Sequence, residues 1–199
     1  RFANVAFSNG SLLDGSIHRI YNNQPISCPT DIKRYFVSPE ESGQICLIAS
    51  ILGKSGEVYF PNLDEKNLKS FDSILIDFIN YLGLKILICN SEEEAISASK
   101  NKKSNEIPVY FFESDTTGEK KIEEFYTEDE IINFNKYSGL GFFEIKNNNL
   151  QYDVNKLCDD LYELFNNKLK SKKNILETIN KYLPNFNHME FGKNLDDKM

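Results

Sequence analysis

Three arginines, Arg1, Arg19 and Arg34, stand among 23 basic residues. A planar guanidinium is the side chain best shaped to fork onto a phosphate or carboxylate, so each merits attention. Arg34 follows Lys33 ahead of an apolar stretch, and an anion contact and an ordinary surface position are equally open to it. Asn4 lies in an apolar run, where its amide needs a hydrogen-bond partner, either a ligand or a neighbouring loop. Gly10-Ser11 forms a turn between a strand and a helix, and the backbone N–H groups at such a helix start receive anions well. A Tyr and a Lys four residues apart can move protons when one continuous helix holds both on one face. That spacing occurs at Tyr81/Lys85 and Tyr152/Lys156. Neither pair qualifies. Tyr81 ends a helix before Gly83, and Tyr152 precedes a helix without a suitably spaced Ser or Thr upstream. Among ten tyrosines, roughly one such match arises by chance. His18 and His188 read as surface residues. Cys28, Cys46, Cys89 and Cys158 form no C-x-x-C pair and no zinc-ligand spacing. Cys46 and Cys89 lie in apolar runs and are expected to be buried thiols.

The elements that must position these residues alternate between strand and helix. Strands are expected at Phe2–Phe7 (short and buried), Arg34–Val37, Val58–Phe60, Leu84–Cys89, Val109–Phe112 and Phe142–Ile145. Leu12, Leu13, Ile17 and Ile20 mark one side of a helix from Leu12 to Tyr21. Ser38-Pro39-Glu40-Glu41 carries a cap, a proline at the first helical position and acids in the first turn. Phe71, Ile74, Leu75, Phe78, Ile79 and Leu82 form a helical stripe that Gly83 ends. Ser91-Glu92-Glu93-Glu94 opens a short helix. Glu128–Phe134 is expected as a helix, and the acids of Glu123–Glu130 as its solvated face. Val154, Leu157, Leu161, Leu164 and Phe165 mark a tail helix, and a second follows around Ile175–Leu183. The alternation indicates α/β. The strands are too short and irregular for a complete doubly wound sheet and fit a small lobe.

The 199 residues are 40% hydrophobic and 27% charged, enough for a sizeable core. A net charge of −7 argues against general nucleic-acid binding. No stretch reaches the roughly 20 apolar residues of a membrane span, and no signal peptide is seen, so a cytoplasmic protein is expected. A chain that opens without Met, in an apparent strand, is expected to be a piece of a longer one.

The order of several segments resembles a known family. Arg1-Phe2-Ala3-Asn4-Val5 leads to Gly10-Ser11 and a helix, then to Lys33-Arg34-Tyr35-Phe36-Val37-Ser38-Pro39-Glu40-Glu41-Ser42-Gly43-Gln44, then to Thr117-Gly118-Glu119-Lys120 and Glu123-Glu124-Phe125. The likeness runs to the ending, Leu195-Asp196-Asp197-Lys198-Met199. The whole is similar to the C-terminal half of the extended short-chain dehydrogenase/reductases. The nearest likeness is to the NDP-sugar 4,6-dehydratases of polysaccharide biosynthesis, the UDP-N-acetylglucosamine 4,6-dehydratase group.

The resemblance implies the mixed α/β substrate-binding lobe of an extended Rossmann-type enzyme over residues 1–135, with a mainly helical extension over 136–199. NAD would belong to an N-terminal Rossmann domain absent here. No G-x-x-G-x-x-G or G-x-G-x-x-G follows a strand in this chain. By resemblance, Asn4 faces the substrate diphosphate, and Gly10, Ser11 and Leu12 meet phosphate through their N–H groups. Arg34 pairs with the diphosphate, and Thr116, Thr117, Gly118 and Glu119 lie near the nucleoside. Two positions depart from the family pattern: Thr116-Thr117 replaces an Arg-Pro, and Asn9 stands where Arg is common. The implied partner is a UDP- or GDP-linked sugar, and homo-oligomers through the cofactor half are usual in such families. A substrate-binding fragment of an NDP-sugar 4-epimerase or reductase, and a non-catalytic binding or assembly module, both remain open from the sequence.

Overall fold

The computed structural model describes residues 1–145, 153–167, 171–183, 186 and 188–192. Tyr152 and the Asn147-to-Asn149 run lie outside them, as does the chain beyond Gly192. The elements follow in the order β1 (Asn4–Val5), α1 (Leu12–Tyr21), β2 (Ile26–Pro29), β3 (Lys33–Arg34), β4 (Phe36–Val37), α2 (Pro39–Leu52), β5 (Glu57–Pro61), β6 (Lys69–Ser70) and α3 (Phe71–Tyr81). Then come β7 (Lys85–Cys89), α4 (Glu92–Asn101), β8 (Glu106–Phe112), β9 (Ile132–Tyr137), β10 (Leu140–Glu144), α5 (Val154–Asn166) and α6 (Lys172–Tyr182). The chain divides into two compact units, Arg1–Ile145 with Gly192–Met199, and Lys146–Phe191. The fold is mixed α/β. Among the described residues no helix is long and apolar enough to cross a membrane.

The first unit holds two three-stranded sheets and two short strand pairs. Strands β2, β8 and β7 run parallel in that order. The stripe on α3 covers this sheet: Leu75 and Ile79 are fully buried against Ile26, Cys28, Ile107 and Val109. Each such aliphatic side chain removed from water contributes about 1.5–3 kcal/mol. Strands β5, β10 and β9 form an antiparallel sheet in that order, with an irregularity in the β9 pairing between Leu140 and Phe142. Strand β1 pairs with β4 in parallel, Asn4 beside Phe36, and β3 pairs with β6 antiparallel.

The capping signals are realised. The Ser38 hydroxyl accepts from the Glu41 N–H at 3.1 Å, and the Glu41 carboxylate accepts from the Ser38 N–H at 2.7 Å. The Ser11 and Ser91 hydroxyls cap α1 and α4 by accepting from the Asp14 and Glu94 N–H groups.

Three expectations need correction. Phe2–Phe7 is not a buried strand: only Asn4–Val5 is extended and paired, and Phe2 and Phe7 are 53% and 51% exposed. Glu128–Phe134 is not a helix: its end enters β9. Thr127-x-x-Glu130 reads like a capping box but closes an isolated turn, with the Thr127 N–H donating to Glu130 at 2.8 Å. Arg1 holds that carboxylate in a fork, at 2.7 and 2.9 Å. Among the cysteines, Cys28 and Cys89 are buried and Cys46 is exposed on α2. Burial pushes the Cys28 thiol up to about 12.

A charged cluster ties β5 to β9. The Glu57 carboxylate accepts from the Tyr59 hydroxyl at 2.6 Å, from the Lys54 N–H at 2.9 Å and from Lys136 at 3.1 Å. Lys136 also sits 5.0 Å from the centre of the Phe142 ring. These donors, the Tyr59 hydroxyl foremost, lower the Glu57 carboxyl from 4.5 to about 2. A depressed carboxyl stabilises the fold fully above its unfolded value and loses that contribution as pH falls toward the folded one. Urea midpoints should therefore fall between pH 4.5 and 2 more steeply in the wild type than in Glu57→Gln. Equal slopes would remove Glu57 from the acid limb.

The second unit is a helical hairpin. Asp153 caps α5 through the Asn155 and Lys156 N–H groups, at 3.0 and 3.2 Å. The Tyr182 hydroxyl at the end of α6 donates to Asp160 of α5 at 2.8 Å.

Candidate functional site

A cavity of about 560 Å³ opens where the β1–α1 turn meets the ends of β2 and β8. One wall is the chain from Asn4 to Leu13. Ser27 and Pro29 of β2 and Phe36 of β4 contribute others, with Phe71 at the start of α3 and Phe112, Thr116 and Glu119 at and beyond the end of β8. Six of the residues singled out by the sequence meet here: Asn4, Gly10, Ser11, Leu12, Thr116 and Glu119. Arg34 and Thr117 are not among its described lining residues.

Local geometry explains the shape of the turn. Gly10 adopts φ +77°, a left-handed conformation that costs glycine nothing. Phe7 adopts φ 59°, which strains a residue with a side chain by about 1–2 kcal/mol. Its ring meets Phe78 edge-on at 5.6 Å. Strain of this kind concentrates at functional sites, and no sequence signal pointed to Phe7. Asn4 is exposed on β1, contrary to its apolar surroundings in the sequence, and its N–H donates to the Tyr35 carbonyl at 2.9 Å.

Two of the three turn amides have internal partners. The Gly10 N–H donates to the Asp14 carboxylate at 3.0 Å, and the Ser11 N–H to the Ser8 carbonyl at 2.9 Å. The Ser11 hydroxyl caps α1 by accepting from the Asp14 N–H at 3.3 Å.

The loop that follows β8 carries Thr116 and Glu119 and is fastened at both ends. The Ser114 N–H donates to Asp31 at 2.8 Å, and Lys121 pairs with the other Asp31 oxygen at 3.0 Å. The Ser114 N–H foremost holds the Asp31 carboxyl below its ordinary value. Inside the loop the Ser114 hydroxyl donates to Glu119, and the Glu119 N–H to the Thr116 carbonyl at 3.3 Å. Arg34 belongs to this fastening. It is 8% exposed. Its guanidinium donates to the Lys33 and Lys121 carbonyls at 2.8 and 3.3 Å, and lies 3.6 Å from Glu123. Among the described lining residues the cation is Arg19 of α1, which no local pattern in the sequence marks.

Tyr81 is the last residue of α3 and is 87% exposed, whereas Lys85 opens β7, so this pair does not share a helix. Among the described residues no group of three or more His, Cys, Asp or Glu could hold a metal ion.

A turn at a helix start faces a polar loop across an aromatic-walled cavity in this small α/β lobe. The polysaccharide biosynthesis protein family model matches residues 1–142, and the chain belongs to that family. Among solved structures it is similar to the X-ray structure of Pen from Bacillus thuringiensis, with a TM-score of 0.53 and 18% sequence identity. That match covers 86% of this chain and 50% of the other, so the chain spans half the length of that protein. At this identity the likeness is one of fold. No curated protein matches the chain.

Proposed function

We propose that this chain is the substrate-binding portion of an NAD-dependent nucleotide-sugar 4,6-dehydratase. It would hold a nucleoside-diphosphate sugar such as UDP-N-acetylglucosamine for surface glycan biosynthesis in the cytoplasm. One observation carries the reading: a single cavity gathers Asn4, Gly10, Ser11, Leu12, Thr116 and Glu119 from distant parts of a family member.

The cavity suits a ligand of mixed chemistry. Phe36, Phe71 and Phe112 offer apolar faces. Thr116 and Glu119 offer a hydroxyl and a carboxylate to sugar hydroxyls. The turn and α1 offer the positive end of a helix.

NAD does not fit the residues of this chain. Among the described residues, β1–α1 carries a single turn glycine, Gly10, whose N–H is engaged by Asp14, and β7–α4 carries no glycine between strand and helix, so neither turn is the glycine-rich one a dinucleotide needs. The chain's part in the reaction is then to bind and orient, and the oxidising and eliminating groups belong to the other half of the enzyme.

Titrating the chain with UDP-N-acetylglucosamine and with a GDP-sugar tests this directly. One of them should bind and raise the melting temperature, without turnover. Adding an intact cofactor half should then yield a 4-keto-6-deoxy sugar. Turnover by the chain alone, or the absence of any nucleotide-sugar binding, would sink the reading.

A further inference from the structure

The cavity's positive charge lies elsewhere than the sequence placed it. Arg34 is turned onto the Lys121 carbonyl and Glu123. The Gly10 amide is taken by Asp14 and the Ser11 amide by Ser8. Arg19 is the one cationic side chain among the described lining residues. It stands seven positions after Leu12 on α1, and seven residues bring a helix to within about 20° of two full turns. Leu12 and Arg19 therefore share the face of α1 that borders the cavity. The rise between them is about 10 Å, so Arg19 stands at the far end of α1 from the Ser11 cap. Its Nη1 donates to the Pro25 carbonyl at 3.2 Å, and the Gln24 N–H donates to the Arg19 carbonyl at 2.8 Å. The chain leaving α1 thus holds this arginine in place before any ligand arrives.

We infer that Arg19 reads the phosphates of the ligand, making the cavity selective for a nucleoside diphosphate over the bare nucleoside. The inference rests on the nucleotide-sugar reading. Glu119, the acid among the described lining residues, is at the post-β8 loop rather than on α1. The two charges give the ligand a direction: phosphates lie along α1, and hydroxyl-bearing groups lie toward the loop.

The test is a set of titrations of the full chain with UDP, UMP and uridine, and in parallel with GDP, GMP and guanosine. The wild type should bind the diphosphate of one series more tightly than its nucleoside. In Arg19→Gln the diphosphate should weaken about tenfold while the nucleoside is unchanged. Arg19→Lys should keep part of the preference. The diphosphate-to-nucleoside ratio within one variant is insensitive to the fraction folded, so the reading survives a destabilised variant. An unchanged ratio in Arg19→Gln and Arg19→Lys overturns the role of Arg19 and leaves the nucleotide-sugar site standing. Equal weakening of nucleoside and diphosphate makes Arg19 a purely structural residue and also overturns it. A wild type that binds neither series removes both proposals together.

Discussion

Gly141→Ala is expected to destabilise the first unit by about 1–3 kcal/mol, the range for forcing an extra methyl into a packed core. A Cβ on Gly141 would sit 2.5 Å from two atoms of the Phe60 ring and 2.8 Å from Phe134. Phe60 is 1% exposed and is wedged among Phe125, Tyr126, Phe134 and Phe143. Its ring cannot turn away without displacing these neighbours. Gly141 lies in β10, directly opposite Phe60 of β5, at the point where the β9 pairing shifts register. The backbone therefore cannot slide aside without breaking the ladder. A chain of this size loses about 2–4 °C of Tm per kcal/mol, so thermal melts should show a drop of several degrees. Gly43→Ala supplies the opposite sign. Gly43 is exposed inside α2, and a Cβ there meets nothing within 4 Å. That substitution should gain about 0.5–1 kcal/mol. Equal Tm values for the two variants would refute the steric account.

Arg34→Ala is expected to cost about 2–3 kcal/mol, because it removes charge-assisted hydrogen bonds to two carbonyls from a buried position. The pairing with Glu123 adds little, since that carboxylate is half exposed. The Lys121 carbonyl keeps the Lys33 N–H at 2.8 Å, which limits the loss. The loop bearing Thr116 and Glu119 is anchored at Lys121, so nucleotide binding should weaken along with stability. Uridine and UDP should weaken by similar factors, because loosening the loop spares neither. Arg34→Lys should recover less than half, since a flexible, strongly hydrated ammonium suits this buried position less well than the planar guanidinium. An Arg34→Ala protein of wild-type stability that loses UDP but keeps uridine would return Arg34 to the role of a phosphate ligand.

Where local chemistry decides structure, it could be read from the residue order. Ser38, Pro39 and Glu41 marked the start of α2, and each makes the contact its type implies. The stripe on α3 is apolar at helical spacing because Leu75 and Ile79 cover a sheet. Failure came where a distant partner overrode a local signal. Thr127-x-x-Glu130 would begin a helix if Arg1 did not hold the acid and β10 did not pair the residues that follow. Cys46 sits in an apolar run, but the face that α2 buries is centred on Ile45, about 100° around the helix from it. Arg34 stands apart from the cavity's described lining for the same reason. Family likeness pointed to Arg34, but its direction follows from β3 and the loop packed upon it. The spacing from Leu12 to Arg19 was available, although nothing local marked that face of α1 as the one bordering a cavity.

The cavity draws its walls from chain positions 4–13, 19, 27, 29, 36, 71, 112, 116 and 119. Bringing such remote segments together incurs loop-closure entropy before any contact offsets it. The pocket is therefore complete only when the β2–β8 pairing and the Asp31 fastening have formed. An occupant filling it would touch the first strand and the loop after β8 at once, and so would work against the opening of everything strung between them. At a hundred times its dissociation constant, such a ligand would add about 2.7 kcal/mol to the stability of the unit. Occupancy would then show in slowed amide exchange across the β2–β8 pairing as well as at the walls of the pocket.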